Sequence, residues 1–350
     1  MRRFFAAALC GLLLCGLTAC GGSGEASAEF YAMDTNMRLT AYGKNAKTAA
    51  DEAQSEVARL EDLLSRTRLD STLSQLNRAG TAAVGMETFE LLNTAVKYSA
   101  AADGAFDITV APLADVWGFT KTEKHVPSRE ELDALMPLVG CDHIHLGQES
   151  EVALDDGTQL DLGGIAKGYA SDCVEAVFAE NGVKSAMASL GGNIYVRGTK
   201  PDGSAWRVGV QDPENPDGFV GILSLTDAFA VTSGGYQRYF EQDGKTYHHI
   251  LDPATGYPAD SGLTSVTVVA PGNREETRGV PGNGAMCDAF STALFVMGAD
   301  KALDFWRSGE YDFQLVLVTE DGQVLITDGL ADQFEQEADS GYTYETVPAA

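Results

Sequence analysis

The sequence predicts an α+β fold: one large domain of mixed and antiparallel sheets with flanking helices. Three observations point there. Apolar residues recur at helical spacing in several well-separated blocks. From His143 onward short apolar runs bounded by turn residues dominate. The regular strand–helix alternation of a doubly wound sheet is absent.

The N-terminus bears on compartment. Arg2 and Arg3 precede an almost purely apolar stretch from Phe4 to Leu17, too short for a comfortable membrane span. Leu17-Thr18-Ala19-Cys20 then leads into Gly21, Gly22, Ser23 and Gly24. This is the lipobox pattern: small residues ahead of a cysteine, then a flexible tether. The expectation is a lipoprotein signal peptide over 1–19, diacylation of Cys20, and a tether over 20–29. An ordinary secretory signal with a coincidental cysteine is the alternative. A diacyl anchor would hold the chain on the extracytoplasmic face of the cell membrane without a spanning helix. Of the six cysteines, Cys141, Cys173 and Cys287 lie beyond that segment, too few and too scattered for a disulfide framework or a Cys-x-x-Cys metal site. They read as small buried hydrophobes, although one pair could be oxidised in that compartment.

About 320 residues follow the tether, enough for one large domain, expected over 30–331. The formal charge is −27, which repels phosphate backbones and argues against nucleic acid as a partner. Any anionic ligand would need a cation or a local nest of donors.

In chain order, Thr35–Tyr42 alternates like a strand. Thr48–Ser65 places Ala53, Val57, Leu60, Leu63 and Leu64 on one helical face. Glu87–Ala102 is a second helix, ended by Asp103-Gly104. Phe106–Leu113 reads as extended, and Arg129–Leu138 as a short helix. Gln159–Leu162 and Ala186–Leu190 read as strands flanking a helix over Ile165–Asn181. Further strands are expected at Tyr195–Arg197, Trp206–Val210, Gly221–Leu225, Ala228–Thr232 and Leu263–Ala270. Pro271–Met286 reads as a surface loop or insertion. Helices over Cys287–Met297 and Asp300–Ser308 precede a hairpin of Phe313–Thr319 and Gln323–Thr327. The tail over 332–350 is acidic and is expected to fray.

Three segments carry chemistry. In Leu160-Asp161-Leu162-Gly163-Gly164-Ile165-Ala166-Lys167-Gly168-Tyr169 a strand enters a glycine turn and then a helix. Such a turn lets backbone approach a phosphate, and the helix N-terminus offers N–H groups and a positive dipole end. Lys167 could reach a phosphate, and Asp161 could accept a hydrogen bond from a base or flavin edge. Neither the Walker A nor the Gly-x-Gly-x-x-Gly spacing is present, and a plain strand–helix turn remains open. In Cys287-Asp288-Ala289-Phe290-Ser291-Thr292, the oxygens of Asp288, Ser291 and Thr292 share a helix face at i, i+3 and i+4. That is a reasonable half-shell for Mg²⁺; Asp288 as an N-cap is the alternative. In Tyr247-His248-His249-Ile250-Leu251-Asp252-Pro253, adjacent histidines on a strand face opposite ways, so at most one enters a given pocket. His249 could deprotonate an alcohol, or be structural. Thr232-Ser233-Gly234 and Gly191-Gly192-Asn193 are further tight turns.

Taken in order, these segments resemble the ApbE family, the flavin transferases that act as FAD:protein FMN transferases. The resemblance runs from about Tyr31 to Asp328. It includes Met33-Asp34-Thr35; Asp70-Ser71 with Leu73-Ser74 and Leu76-Asn77; and Asp103-Gly104-Ala105-Phe106-Asp107-Ile108-Thr109-Val110-Ala111-Pro112-Leu113 with Trp117-Gly118-Phe119. It continues through Asp161 to Tyr169, Gly191-Gly192-Asn193, Trp206 with Asp212-Pro213, Thr232-Ser233-Gly234, His249 to Gly256, and Asp288 to Thr292. Asp34 stands where the family usually has Gly, and Thr67 where it often has an aromatic.

The resemblance implies an ApbE-like, T-fold-related domain that binds FAD as substrate with Mg²⁺. The reaction it implies is transfer of FMN to a Thr or Ser hydroxyl of an extracytoplasmic flavoprotein, such as one in a membrane redox complex or an FMN-binding domain, with release of AMP. Hydrolysis of FAD to FMN and AMP, or flavin binding without catalysis, are the other readings. Flavin contacts would fall on Met33, Ala105, Phe106, Asp107, Asp161, Lys167 and Leu251. Magnesium ligands would be Gly164 through its backbone oxygen, Asp288, Ser291 and Thr292. His249, or Asp252 beside it, would take the acceptor proton, and Lys167 would add positive charge.

Overall fold

The computed structural model describes residues 24–119, 123–275, 277–338 and 340–349. The expected signal peptide, Cys20 and residues 20–23 of the tether lie outside the described residues. The rest of the tether does not stay loose. Strand β1 (Glu25–Ala32) pairs antiparallel with β2 (Thr35–Tyr42), from Glu25 opposite Tyr42 to Ala32 opposite Thr35. In β2, Met37, Leu39 and Ala41 alternate inward, as the sequence pattern requires.

Helix α1 (Ala46–Leu64) buries Ala53, Val57 and Leu60 against this hairpin. Helix α2 (Thr72–Ala79) is capped by the Ser71 hydroxyl, which accepts from Ser74 N–H at 3.0 Å, and ends at left-handed Gly80. Then come β3 (Thr81–Ala83), α3 (Met86–Ala101), α4 (Ala111–Trp117) and α5 (Arg129–Leu135), the last with a Ser128–Glu131 capping box. Strands β4 (Ile144–Leu146) and β5 (Glu151–Leu154) precede α6 (Ala166–Glu180).

The second half runs β6 (Ser185–Leu190), β7 (Asn193–Arg197), β8 (Trp206–Gln211), β9 (Phe219–Leu225), β10 (Ala228–Gly234), β11 (Tyr239–Gln242), β12 (Lys245–His248) and β13 (Leu263–Pro271). Helices α7 (Asn283–Met297) and α8 (Ala299–Arg307) follow. Strands β14 (Gln314–Thr319), β15 (Gln323–Thr327), β16 (Phe334–Gln336) and β17 (Thr343–Val347) close the chain.

Nine strands form one sheet in the order β1-β2-β6-β7-β10-β13-β14-β15-β17. All pairs are antiparallel except β15–β17. A major core joins α1, α6 and α7 to one face, through Leu60, Phe178 and Phe290 among others. The small sheet β16-β9-β8 covers the other face through Trp206, Val208 and Leu223. β13 is therefore buried almost throughout, because both its faces are covered. A third cluster packs Leu113, Trp117, Leu132 and Leu251 between α4, α5 and the β11–β12 ribbon. The fold is the α+β architecture expected.

Three local expectations differ from the structure. Phe106–Leu113 is not a strand: the Asp107 carboxylate accepts from Thr109 N–H (2.7 Å) and Cys141 N–H (3.0 Å), closing a turn, and Pro112 starts α4. Gln159–Leu162 is not a ladder strand: it makes an isolated bridge, Val110 to Gln159, an Asp161 N–H bond to Ile108 O at 2.7 Å, and a two-way pairing of the Leu160 backbone with the Asn77 amide at 2.8 Å. The tail does not fray. β16 adds to β9, and β17 lies parallel to β15, with Val347 buried. Alternating Tyr342 and Tyr344 pack inward while the acidic residues point out, a strand pattern that net charge obscured. Cys141, Cys173 and Cys287 are free thiols. No described helix is long and apolar enough to cross a membrane.

Candidate active site

A cavity of about 1030 Å³ opens where α6, α7, β10 and the β1–β2 turn converge. That is the upper end of the usual size range for ligand sites. Its lining includes Met33, Ala105, Phe106, Asp107, Asp161, Gly164, Lys167, His249, Leu251, Asp288 and Thr292. Residues separated by more than 250 positions thus meet on one surface. Four cations also reach it, Arg66, Arg68, Lys167 and Arg238, in a chain whose net charge is −27. They share the lining with Asp34, Glu61, Asp107, Asp161, Glu214 and Asp288, so the cavity is not net positive and an anionic ligand there would need an added cation or backbone donors.

The glycine turn is shaped by its own aspartate. Asp161 Oδ1 accepts from Gly163 N–H at 2.8 Å, and Oδ2 pairs with Arg66 Nε at 2.6 Å. The carboxylate expected to meet a base edge is thus anchored by an arginine, which itself also pairs with Asp115 at 3.1 Å. Not all the turn's donors are open. Gly163 N–H is taken by Asp161, Ile165 and Ala166 N–H by Leu162 O, and Gly168 N–H by Asp288. Among the described residues, Gly164 and Lys167 N–H have no protein partner. The anion-binding potential of the turn therefore rests on those two groups and the Lys167 ammonium.

Asp288 is not an N-cap of its own helix, which begins five residues earlier. It is 3% exposed and caps α6 instead: Oδ2 accepts from Gly168 N–H at 2.8 Å. Asp172, on α6, caps α7 in return. Its carboxylate accepts from Gly282 N–H (2.8 Å), Gly284 N–H (2.7 Å) and Ala285 N–H (3.0 Å). The two helices cross at bare backbone. A Cβ on Gly168 would lie 2.2 Å from Gly284 O, and one on Gly284 would lie 2.5 Å from Gly168 O. Reciprocal capping over a glycine crossing welds the phosphate-type turn to the Asp288 helix.

The other Asp288 oxygen is also met by nitrogen groups. Asn193 Nδ2 donates to Oδ1 at 3.3 Å, and Lys167 Nζ stands 3.8 Å away while donating to Gly163 O. Thr292 Oγ1 faces Gly164, at 3.4 Å from where a Cβ would be. Ser291 differs from expectation. It is fully buried, donates to Asp288 O (2.9 Å), and meets the Ser233 hydroxyl at 2.8 Å, so it supports the site from behind the cavity wall. Ser233 also reaches Thr292 Oγ1 at 3.3 Å.

The two histidines divide as strand geometry requires. His248 turns inward, pairing Nε2 with Ala259 O (3.0 Å) and meeting Phe295 edge-on. His249 lines the cavity, and its Nδ1 bonds Arg238 O at 3.2 Å. Because that oxygen only accepts, Nδ1 carries the proton and Nε2 keeps its lone pair. Burial, and then the Arg238 charge, push the imidazole down to about 3, so it is neutral at physiological pH. Asp252 is not part of this cavity. Its carboxylate accepts from Ala254 N–H (2.9 Å) and the Thr255 hydroxyl (3.0 Å), which closes the Asp-Pro turn and leaves it facing a separate, smaller pocket. As a proton acceptor beside His249 it is therefore replaced by a turn-forming role.

Sequence reasoning passed over Arg66, Arg238 and Asp172. Asp172 stands within an expected helix and Arg66 just past one, but nothing local marks them or Arg238, and the importance of each comes from a partner far along the chain. Asn193 and Ser233 stood within noticed turns, but only the fold brings them to Asp288 and Thr292.

Residues 33–317 match the family model described as the ApbE family. A protein of Klebsiella pneumoniae named FAD:protein FMN transferase is 33% identical over 292 residues, covering 82% of this chain and 86% of its own. The crystal structure of the ApbE protein from Thermotoga maritima superposes with a TM-score of 0.80 at 32% identity, over 89% of this chain and 100% of that one. The apo flavinyl transferase ApbE of Pseudomonas stutzeri gives 0.73 at 28%, over 90% and 94%. With the family match spanning most of the sequence and relatives alike over nearly their whole length, this chain belongs to the ApbE family.

Proposed function

We propose that this protein transfers FMN from FAD to a Thr or Ser hydroxyl of an extracytoplasmic flavoprotein, with Mg²⁺, and releases AMP. The observation that carries the proposal is the shared cavity: the open Nε2 edge of His249, the Lys167 ammonium and the oxygens around Asp288 face one space. Relatives named as flavin transferases support it.

The donor set fits a hard divalent cation. Asp288 and Thr292 would supply oxygen ligands, Thr292 Oγ1 lies against Gly164, and no thiol is in the described lining. The buried Asn193 Oδ1, next to Asp288, has no hydrogen-bond partner among the described residues and can orient toward added positive charge. When bound, Mg²⁺ would neutralise negative charge on the pyrophosphate and the departing nucleotide.

The remaining chemistry falls to the chain. Met33, Phe106 and Leu251 offer the apolar wall for the flavin end. Lys167 and the Gly164 and Lys167 N–H groups would hold phosphate oxygens. His249 Nε2 takes the proton of the acceptor hydroxyl as its oxygen bonds to the FMN phosphorus. The P–O bond to the AMP phosphate breaks, and AMP leaves with that bridging oxygen. The extracytoplasmic, lipid-anchored placement rests on the N-terminal pattern ending at Cys20.

The test is mass spectrometry of an acceptor flavin domain incubated with the protein and FAD, with Mg²⁺ or a chelator. A covalent FMN adduct formed only with Mg²⁺ is expected. Release of FMN and AMP without an adduct would replace transfer by hydrolysis, and no AMP at all would replace it by flavin binding. Asp288→Ala is expected to abolish Mg²⁺-dependent turnover while keeping the thermal unfolding midpoint within a few degrees.

A further inference from the structure

The tip of the β1–β2 hairpin reaches the cavity in a strained form. Met33 and Asp34, the two residues between paired Ala32 and Thr35, both have positive φ, 47° and 59°. Such two-residue turns normally use Asn-Gly or another glycine pair, because L side chains disfavour this region. Two contacts hold the tip. Met33 N–H donates to Glu61 Oε1 on α1 at 2.8 Å. From the opposite side of the cavity, Arg238 Nη2 donates to Asp34 O at 3.0 Å.

Arg238 is also the residue that holds His249. Its carbonyl accepts from His249 N–H at 3.0 Å and from His249 Nδ1 at 3.2 Å. Its side chain makes no ion pair among the described residues, unlike Arg66, Arg68 and Lys167 in the same lining. One residue thus grips the flavin-side hairpin with its guanidinium and the imidazole with its carbonyl. The short 3₁₀ turn Gly235–Gln237 before it contributes no side-chain cap of its own.

We infer that Arg238 is a positioning residue for His249: latched to the Asp34 carbonyl, it fixes the peptide oxygen that selects the Nδ1–H tautomer and aims Nε2 into the cavity. Its charge acts on the ring as well. The charged or titratable groups that act on His249 are Arg238, His248 and Lys167; burial first, and then the Arg238 charge, keep the ring neutral. The inference rests on the transferase reading for its catalytic meaning, but the geometry it describes exists without FAD.

The experiment uses the full chain with Arg238→Ala and Arg238→Lys. Imidazole nitrogen NMR of FAD-free protein reads tautomer and titration directly. The parent and Arg238→Lys are expected to show the Nδ1–H form. Arg238→Ala is expected to mix tautomers and to titrate at least about one pH unit higher, since a repelling cation is gone. In the acceptor assay, Arg238→Ala is expected to lower kcat about tenfold with the FAD KM changed less than about threefold, and Arg238→Lys to recover most of kcat. An unchanged tautomer and titration in Arg238→Ala would overturn the assignment, whatever happens to kcat. So would Arg238→Lys as defective as Arg238→Ala, which would mark a need for the guanidinium other than the latch. If the parent labels no acceptor, the transferase reading fails while the NMR arms still decide the role of Arg238.

Discussion

At the scale of the residue, the cavity depends on where protons sit. His249 bonds Arg238 O through Nδ1, so Nε2 is the only ring position able to accept a proton. A ring held down to about 3 is a weak base in the free protein. An anionic pyrophosphate nearby would raise it toward the working range, since opposite charge favours the protonated form. The acid limb of kcat, which reports the FAD-bound protein, is therefore expected at higher pH than the limb of kcat/KM, which reports the free one. His249→Ala is expected to lower the transfer rate by 10²-fold or more, on the order of what a positioned base supplies, with FAD affinity by fluorescence changed far less. Equal transfer by the variant would move the base elsewhere in the cavity.

At the scale of the element, the helix pair α6 and α7 is the rigid part of the site. Asp172 and Asp288 each cap the other's helix, and the loop between β13 and α7 is pinned beside them. Asn273 Nδ2 donates to Asp172 at 2.9 Å and to Glu175, and Asn273 N–H donates to Glu175 at 3.1 Å. The segment expected as a plain surface loop is therefore anchored on buried carboxylates. Burial and the neighbouring Asp172 raise Glu175 from 4.5 to about 7. Between those pH values the folded chain holds a proton that the unfolded chain has lost. This contribution to stability therefore falls as pH rises from about 4.5 to about 7, and its full cost applies above 7. Glu175→Gln keeps an acceptor oxygen but cannot ionise. Urea unfolding at pH 5 and pH 8 is expected to show a smaller loss in the variant, by about 2 kcal/mol. Parallel losses in both proteins would place the pH sensitivity on other groups.

At the scale of the whole molecule, the last strands brace the cavity wall. Tyr342 Oη donates to Asp212 Oδ1 at 2.7 Å, next to the Pro213 and Glu214 lining, and Tyr344 Oη donates to Val220 O at 2.7 Å. β17 also covers the edge of β15, which would otherwise present unpaired backbone. Deleting residues 332–350 is expected to lower the unfolding midpoint by several degrees and to promote aggregation, read by calorimetry and light scattering. An unchanged midpoint would mean that these strands contribute nothing to the fold.

Much of this was legible in the sequence. Local pattern placed the helices over α1, α3, α6 and α7 and the strand β13: α1 and α3 bury one face, while α6, α7 and β13 are runs buried nearly all round. The three chemical segments were visible for the same reason: glycine turns, i, i+3, i+4 oxygens and paired histidines are patterns of near neighbours. What only the tertiary structure decided is how those patterns meet. That Asp288 caps α6, that Asp252 turns into its own loop, that Ser291 stands behind the wall, and that Arg66 and Arg238 grip residues 95 and 204 positions from them on the chain are outcomes of packing. Side chains such as these carry no local signature, since a hydrogen bond across the fold is written in neither partner's neighbourhood. The sequence by itself thus determined the elements and the kind of chemistry they can hold, while the packing of α6 against α7 and of the β1–β2 turn against Arg238 decided which oxygens and nitrogens face the cavity.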